Sequence, residues 1–151
     1  MIFISHRGNL RGPNPSFENR PEYILNALDM GFDVEIDVWY INGRFKLGHD
    51  SPQYPVKPEF LLQSGLWCHA KHFSGLIALK KLGAHHFWHQ TDAYTLTSNN
   101  VIWAYPDSLI DINCICLMPE TRPEYSVNWD FLGVCSDYIE DYKIQFSNFS
   151  N

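Results

Sequence analysis

The sequence predicts an α/β fold, and three observations carry that expectation. Short apolar runs of strand length alternate with turn signals. Two segments place apolar residues at helical spacing between clear start and stop residues. Of the 151 residues 45% are apolar, with 10 Phe, 8 Tyr and 5 Trp, enough to bury a core. At this length one domain is expected over residues 1–146, followed by a polar tail at 147–151.

Taken along the chain, Ile2–Ser5 is the first expected strand. A helix then opens at Pro21, whose missing N–H costs nothing in the first helical position; it runs through Ile24, Leu25 and Leu28 and stops at Gly31. Phe32–Tyr40 reads as a long strand, joined by Asn42-Gly43 to a return limb, Arg44–Gly48; an Asn-Gly pair between such runs is the strongest short-range hairpin signal. The proline-rich stretches Gly12–Pro15 and Ser51–Pro58 read as rigid surface loops. After a strand at Leu66–Ala70, a second helix starts near Ser74, sets Leu76, Leu79 and Leu82 on one stripe and ends at Gly83. His86–His89, Val101–Ala104, Ile112–Met118 and Leu132–Ser136 complete the strands. The tetrapeptide Arg-Pro-Glu-Tyr at 20–23 and 122–125 marks two similar helix starts. A parallel barrel of eight strand-helix units needs about 250 residues and rarely fewer than about 200. A barrel here must have lost outer helices to loops, after Asn42-Gly43 and between His89 and Met118. An open α/β sheet is the competing architecture.

Composition narrows the function classes. Eleven basic residues against 17 acidic give a net charge of −6, which argues against a chain-wide grip on nucleic acid or an anionic membrane. No run approaches the roughly 20 apolar residues of a membrane span, and Met1–Ile4 is too short for the apolar core of a secretory signal, so a cytoplasmic protein is expected. Cys68, Cys114, Cys116 and Cys135 lack Cys-x-x-Cys spacing and read as buried free thiols in strands. Neither a Gly-x-Ser-x-Gly elbow nor a Gly-Lys-Ser/Thr phosphate loop occurs, which demotes acyl hydrolases and nucleotide-loop proteins.

Polar residues concentrate in the first third. Strand side chains alternate, so Glu35 and Asp37 point the same way within the apolar run Val34, Ile36, Val38. Two like charges so close raise each other's pKa or require a cation, unless the pair simply faces solvent. His6-Arg7 follows the first apolar strand directly, at the strand end where α/β folds place their sites, and His49 closes the return limb of the hairpin. Two histidines brought to the same end as a metal-binding pair of acids suit acid and base roles at a phosphorus centre. Farther on, Phe87 and His89 share one strand face and His86 and Trp88 the other; Trp88 and Trp103 are expected in the core, and His89 near a strand end is a pocket-lining candidate. Glu120, after Met118-Pro119, is either a pocket residue or an ordinary helix-entry carboxylate.

The ordered series His6-Arg7-Gly8, Glu18-Asn19, a helix ending at Gly31, Glu35-x-Asp37, Asn42-Gly43 and His49-Asp50 resembles the glycerophosphodiester phosphodiesterase family, part of the wider phospholipase-C-like phosphodiesterase group. The match is specific over residues 4–50, and Gly133–Tyr138 is similar to the family's last strand. The resemblance implies a compact, reduced (β/α) TIM-type barrel with several outer helices shortened or missing. It implies His6 and His49 as the catalytic acid-base pair, Arg7 as a phosphate contact, and Glu35 and Asp37 as ligands of one divalent metal, Mg²⁺ or Ca²⁺. Family members carry an acidic metal ligand two residues before a phosphate-binding lysine on the next core strand; here those places hold His69 and Lys71. A neutral imidazole lowers the ligand charge and favours Mn²⁺ or Zn²⁺. His69, Glu18, Glu120 or a water then completes the shell. Glu18, Asn19, Lys71 and His89 join Arg7 as expected phosphate or substrate contacts.

The function expected is a metal-dependent phosphodiester hydrolase acting on a small-molecule phosphodiester. The alternative is a catalytically idle module that binds sugar phosphates or glycerol phosphates. No nucleic-acid partner is expected, and a homodimer would cover the apolar surface that missing helices expose.

Overall fold

The computed structural model describes residues 1–105, 108, 112–122 and 129–150; the helix start expected at 122–125 lies outside them from position 123. Strand β1 (Ile2–His6) leads through a long loop to helix α1 (Pro21–Asp29), with Pro21 in the first turn. Strand β2 (Asp33–Ile41) turns back at Asn42 and Gly43 into β3 (Arg44–Leu47); both turn residues have positive φ, 49° and 74°, the backbone a tight hairpin requires. A short strand β4 (Tyr54–Val56) and a 3₁₀ turn (Pro58–Leu62) precede β5 (Leu66–Ala70). Helix α2 (Phe73–Leu82) ends at Gly83, whose left-handed backbone (φ 80°) lets its N–H reach the carbonyls of Leu79 and Lys80. Strands β6 (His86–Trp88), β7 (Tyr94–Leu96), β8 (Ile102–Ala104), β9 (Cys114–Leu117) and β10 (Gly133–Ser136) follow, and helix α3 (Ile139–Phe149) closes the described chain, taking residues 147–149 into its last turn.

The ten strands form one curled sheet. Strands β6, β5, β2, β1, β10, β9 and β8 lie side by side in parallel, while β3, β4 and β7 attach as antiparallel limbs to β2, β3 and β8. This overturns the reduced TIM-type barrel. Among the described residues no ladder joins β6 to β7 or β8, and only three α-helices are present. The gap is spanned by isolated bonds: Ser98 N–H donates to the His86 carbonyl, His86 N–H donates to Ser98 Oγ, and Thr95 Oγ1–H donates to the Trp88 carbonyl. The physical reason is length: each strand-helix-strand unit takes about 30 residues or more. Two hairpin excursions consume chain that a closed barrel would spend on crossover helices.

The sheet's two faces separate the apolar residues. Val34, Ile36, Val38, Cys68, Ala70, Cys116 and Val134 point outward into a core shared with Ile24, Leu79 and Ile139 of the three helices. Ile4, Trp67, Phe87, Trp103, Ile115, Leu117 and Cys135 fill the concave face. Each such buried aliphatic or aromatic side chain contributes roughly 1.5–3 kcal/mol. Trp103 is buried as expected, and Trp88 packs half-buried on the outer core. All four cysteines are buried free thiols. On β1, β2 and β5 the concave face turns polar toward the C-terminal ends, where His6, Asp37 and His69 stand, while Leu117 carries the apolar core to the end of β9. No described helix is long and apolar enough to cross a membrane.

One backbone position fixes how the hairpin presents His49. Gly48 has φ 142°, its N–H reaches the Asp37 carbonyl at 3.2 Å, and its own carbonyl accepts from Trp39 Nε1 at 2.6 Å. A Cβ at this position would run into the Ser51 carbonyl oxygen. Gly48→Ala is therefore expected to lower the unfolding free energy by roughly 1–3 kcal/mol. Urea denaturation checks this, and an unchanged midpoint contradicts it.

Candidate metal centre and active-site cavity

Register alone brings the acidic and histidine residues together. His6 at the end of β1 lies opposite Glu35 on β2, and Asp37, two residues on, lies opposite His69 on β5. All four project to the concave side, since their neighbours Val34, Ile36, Cys68 and Ala70 point the other way. Glu35 is 3% exposed and Asp37 fully buried, which overturns the solvent-facing alternative for that pair.

A buried carboxylate must be compensated. Asp37 Oδ2 lies 3.0 Å from Arg7 Nε and accepts from Asn19 Nδ2 at 2.9 Å. The Asp37 N–H in turn donates to Asn19 Oδ1 at 2.9 Å, and Asp37 Oδ1 sits 3.1 Å from Lys71 Nζ and 3.2 Å from His69 Nδ1. Burial pushes the Asp37 carboxyl upward, but the His69 contact and the Arg7 and Lys71 charges outweigh it and hold it well below the usual carboxylate range. His69 Nδ1 is also 3.6 Å from Glu35 Oε1, while its Nε2–H donates to the His89 carbonyl at 2.9 Å, and its ring stacks on Phe87. Burial opposes the charge on His69, yet the hydrogen bonds to Asp37 and Glu35 raise its pKa to about 9.

His6 is held differently. Its Nδ1 donates to Asp137 Oδ1 at 2.8 Å, and its Nε2 faces the cavity, 3.9 Å from Glu35 Oε2. Despite burial, the Asp137 hydrogen bond and the Glu35 charge lift its pKa above the ordinary value. Asp137 is fixed by Asn9 Nδ2 at 2.8 Å, and its backbone N–H donates to Glu120 at 3.0 Å. Asn9 Nδ2 also donates to Glu18 at 2.9 Å, and Glu18 receives Arg7 Nη1 at 3.1 Å. A chain of polar contacts thus runs behind the site from His6 to Arg7.

A cavity of about 330 Å³ opens over these groups. Of the residues expected at the site, His6, Arg7, Glu35, His49, His69, Lys71 and His89 line it. Asp37, Glu18 and Asn19 do not: Asp37 is fully buried against Arg7, Lys71 and His69, and Glu18 and Asn19 hold Arg7 and Asp37 from behind. Glu120 is engaged with Ser136 and Asp137 instead of facing the acids. His49 stands at the rim, its Nδ1 2.7 Å from Asp50 Oδ1, and is the more exposed of the two histidines. The far wall is aromatic, with Phe87, Trp103 and Tyr105 beside His89. His89 is 9% exposed, and neither ring nitrogen has a hydrogen-bond partner. Burial and the His69 charge keep its pKa low, so it is neutral. Asp137 and Asn9 are the site residues that sequence reasoning missed; Asp137 lay within the segment likened to the family's last strand, without a role.

The donor set fits a divalent cation. One ligand atom each of Glu35, Asp37 and His69 lies within 4.8 Å of the others. Glu35 Oε2 is buried without a hydrogen-bond partner, and Asp37 Oδ1 meets only the cationic groups of Lys71 and His69. The His69 Nε2–H bond to a backbone carbonyl is the arrangement that leaves Nδ1 to a metal. No family model, curated protein or solved structure matches the chain.

His69 must lose its proton to bind a cation. With its pKa raised to about 9, cation uptake at pH 7 should release about one proton, and affinity should climb about tenfold per pH unit before levelling off above about 9. Without a cation, protonated His69 adds stability that is complete below its ordinary pKa and lost as pH rises through about 9. Calorimetric titration with Mn²⁺ in two buffers of different ionisation enthalpy checks the release; a pH-independent affinity contradicts it.

Proposed function

We propose that this chain is a metal-dependent phosphodiester hydrolase of the glycerophosphodiesterase type. The observation that carries the reading is the cluster of Glu35, Asp37 and His69, two of which, Glu35 and His69, line the same cavity as two imidazoles, His6 and His49. A divalent cation held by Glu35, Asp37 and His69 would supply positive charge to a nonbridging oxygen of the phosphate. Arg7 and Lys71, both lining the cavity, take up charge that grows on the other oxygens in the transition state. One histidine of the pair removes a proton from the attacking hydroxyl and the other delivers one to the departing alkoxide. Both imidazoles carry a carboxylate on Nδ1, Asp137 for His6 and Asp50 for His49, which fixes each ring and keeps Nε2 as the working nitrogen. The aromatic wall and neutral His89 receive the alcohol portion of the diester.

The test is hydrolysis of a soluble phosphodiester, such as a glycerophosphodiester or bis(p-nitrophenyl) phosphate, before and after chelation. Activity should vanish with the chelator and return with Mn²⁺ or Mg²⁺. Cation uptake without turnover of any diester would replace the enzyme reading with the idle binding module.

A further inference from the structure

The overall charge of −6 conceals a reversal. Between positions 40 and 82 there are six Lys or Arg against two Asp or Glu, in a chain that elsewhere has five against 15. Part of that segment builds an apolar groove of about 510 Å³ on the outside of the molecule, lined by Tyr40, Phe45, Pro58, Phe73, Ile77 and Lys81 among others. Phe73 is 68% exposed and Ile77 is exposed one turn later on the same stripe of α2, with Lys80 and Lys81 another turn on. Arg44 and Lys57, also exposed, flank the groove's Phe45 and Pro58 in sequence. Among the described residues none of Arg44, Lys57, Lys80 and Lys81 forms an ion pair with a carboxylate.

An exposed apolar groove edged by unneutralised cations is complementary to an anionic bilayer, whose acyl region lies beneath a layer of phosphates. Phe73 and Ile77 are exposed beside Tyr40, Phe45 and Pro58 as one contiguous apolar patch, unlike singly scattered surface residues. A soluble acidic partner would satisfy the charges but not the groove between them. We propose that the α2 face of this protein docks on anionic lipid bilayers, with Phe73 and Ile77 entering the headgroup boundary and Arg44, Lys57, Lys80 and Lys81 meeting lipid phosphates. Phe73 follows the cavity residue Lys71 by two positions, which sets the N-terminal end of the docked face near the strand end that carries the cavity. The substrate class then becomes a lipid-borne phosphodiester, an extension that rests on the hydrolase reading above.

Sedimentation with vesicles of phosphatidylcholine, alone or mixed with phosphatidylglycerol, tests the docking, with chelator present so that metal chemistry plays no part. The full chain should sediment with the mixed vesicles and not with phosphatidylcholine alone, and high salt should release it. Lys80→Gln with Lys81→Gln should weaken binding by about fivefold per lysine, and Phe73→Ser by roughly tenfold or more, both with wild-type circular dichroism. Equal binding to both vesicle types, or undiminished binding by both variants, overturns the proposal. So does a light-scattering dimer that Phe73→Ser dissociates in the absence of vesicle binding, because the face is then a contact between copies. In a separate arm, the double-lysine variant should keep its rate on a soluble diester and lose rate on a vesicle-borne one. A wild-type chain that cleaves neither diester defeats the hydrolase reading, while sedimentation still decides the docking.

Discussion

Asp37→Asn is expected to cost the fold about 3–5 kcal/mol, because breaking a buried ion pair from one side strands the charges left behind. Three cationic groups meet this one carboxylate, Arg7 at 3.0 Å, Lys71 at 3.1 Å and His69 at 3.2 Å, and it is fully buried. An amide of the same shape keeps part of the Asn19 pairing and cancels none of that charge. Cation uptake should be lost with it. The acid limb of the stability curve reports the same group: its folded pKa is depressed, so its contribution is present above the ordinary carboxylate pKa of about 4 and lost as pH falls below it. The variant should therefore show a flatter acid limb than wild type. Urea unfolding as a function of pH measures both effects, and a wild-type midpoint at neutral pH contradicts them.

On the proposed function, His6→Ala is expected to lower the phosphodiester hydrolysis rate by about 10²- to 10⁴-fold while leaving cation affinity within a few-fold of wild type. The imidazole touches Glu35 only at 3.9 Å, so its loss leaves Asp37 and His69 in place. Asp137 keeps its bond from Asn9 at 2.8 Å and the backbone bond to Glu120, which limits the damage to the fold. Kinetics and Mn²⁺ titration on the same preparation separate the roles. Unchanged turnover contradicts an acid-base role for His6; turnover and metal affinity falling together would make it structural.

Local signals made much of this legible. Asn42-Gly43 fixed the hairpin because two positive-φ residues in succession permit little else, and Pro21 and Gly83 bounded two helices through their own backbone chemistry. The alternation in 33–39 correctly put Glu35 and Asp37 on one face, and the ordered motif up to His49 led to one cavity. What failed was long-range or weakly patterned. The bond between His6 and Asp137 spans 131 positions, a pairing that no window of sequence contains. Strand β4 lies in the proline-rich stretch Ser51–Pro58, which predicts a loop; Pro55 cannot donate to a ladder, and the structure accommodates it at the sheet edge. Helix α3 carries no clear periodic signal, because exposed Ile144 and Phe149 blur its apolar stripe. The closed barrel failed because the resemblance supplied a topology whose helices this chain lacks the length to build.

The central claim is that Glu35, Asp37 and His69 hold one divalent cation beside His6. Anomalous diffraction from a Mn²⁺-soaked crystal tests it most directly. A single strong peak about 2.0–2.6 Å from a carboxylate oxygen of Glu35 and of Asp37 and from His69 Nδ1 is expected, and it should be absent in Glu35→Gln crystals. A peak on other carboxylates, or none at this triad in well-soaked crystals, would contradict the account.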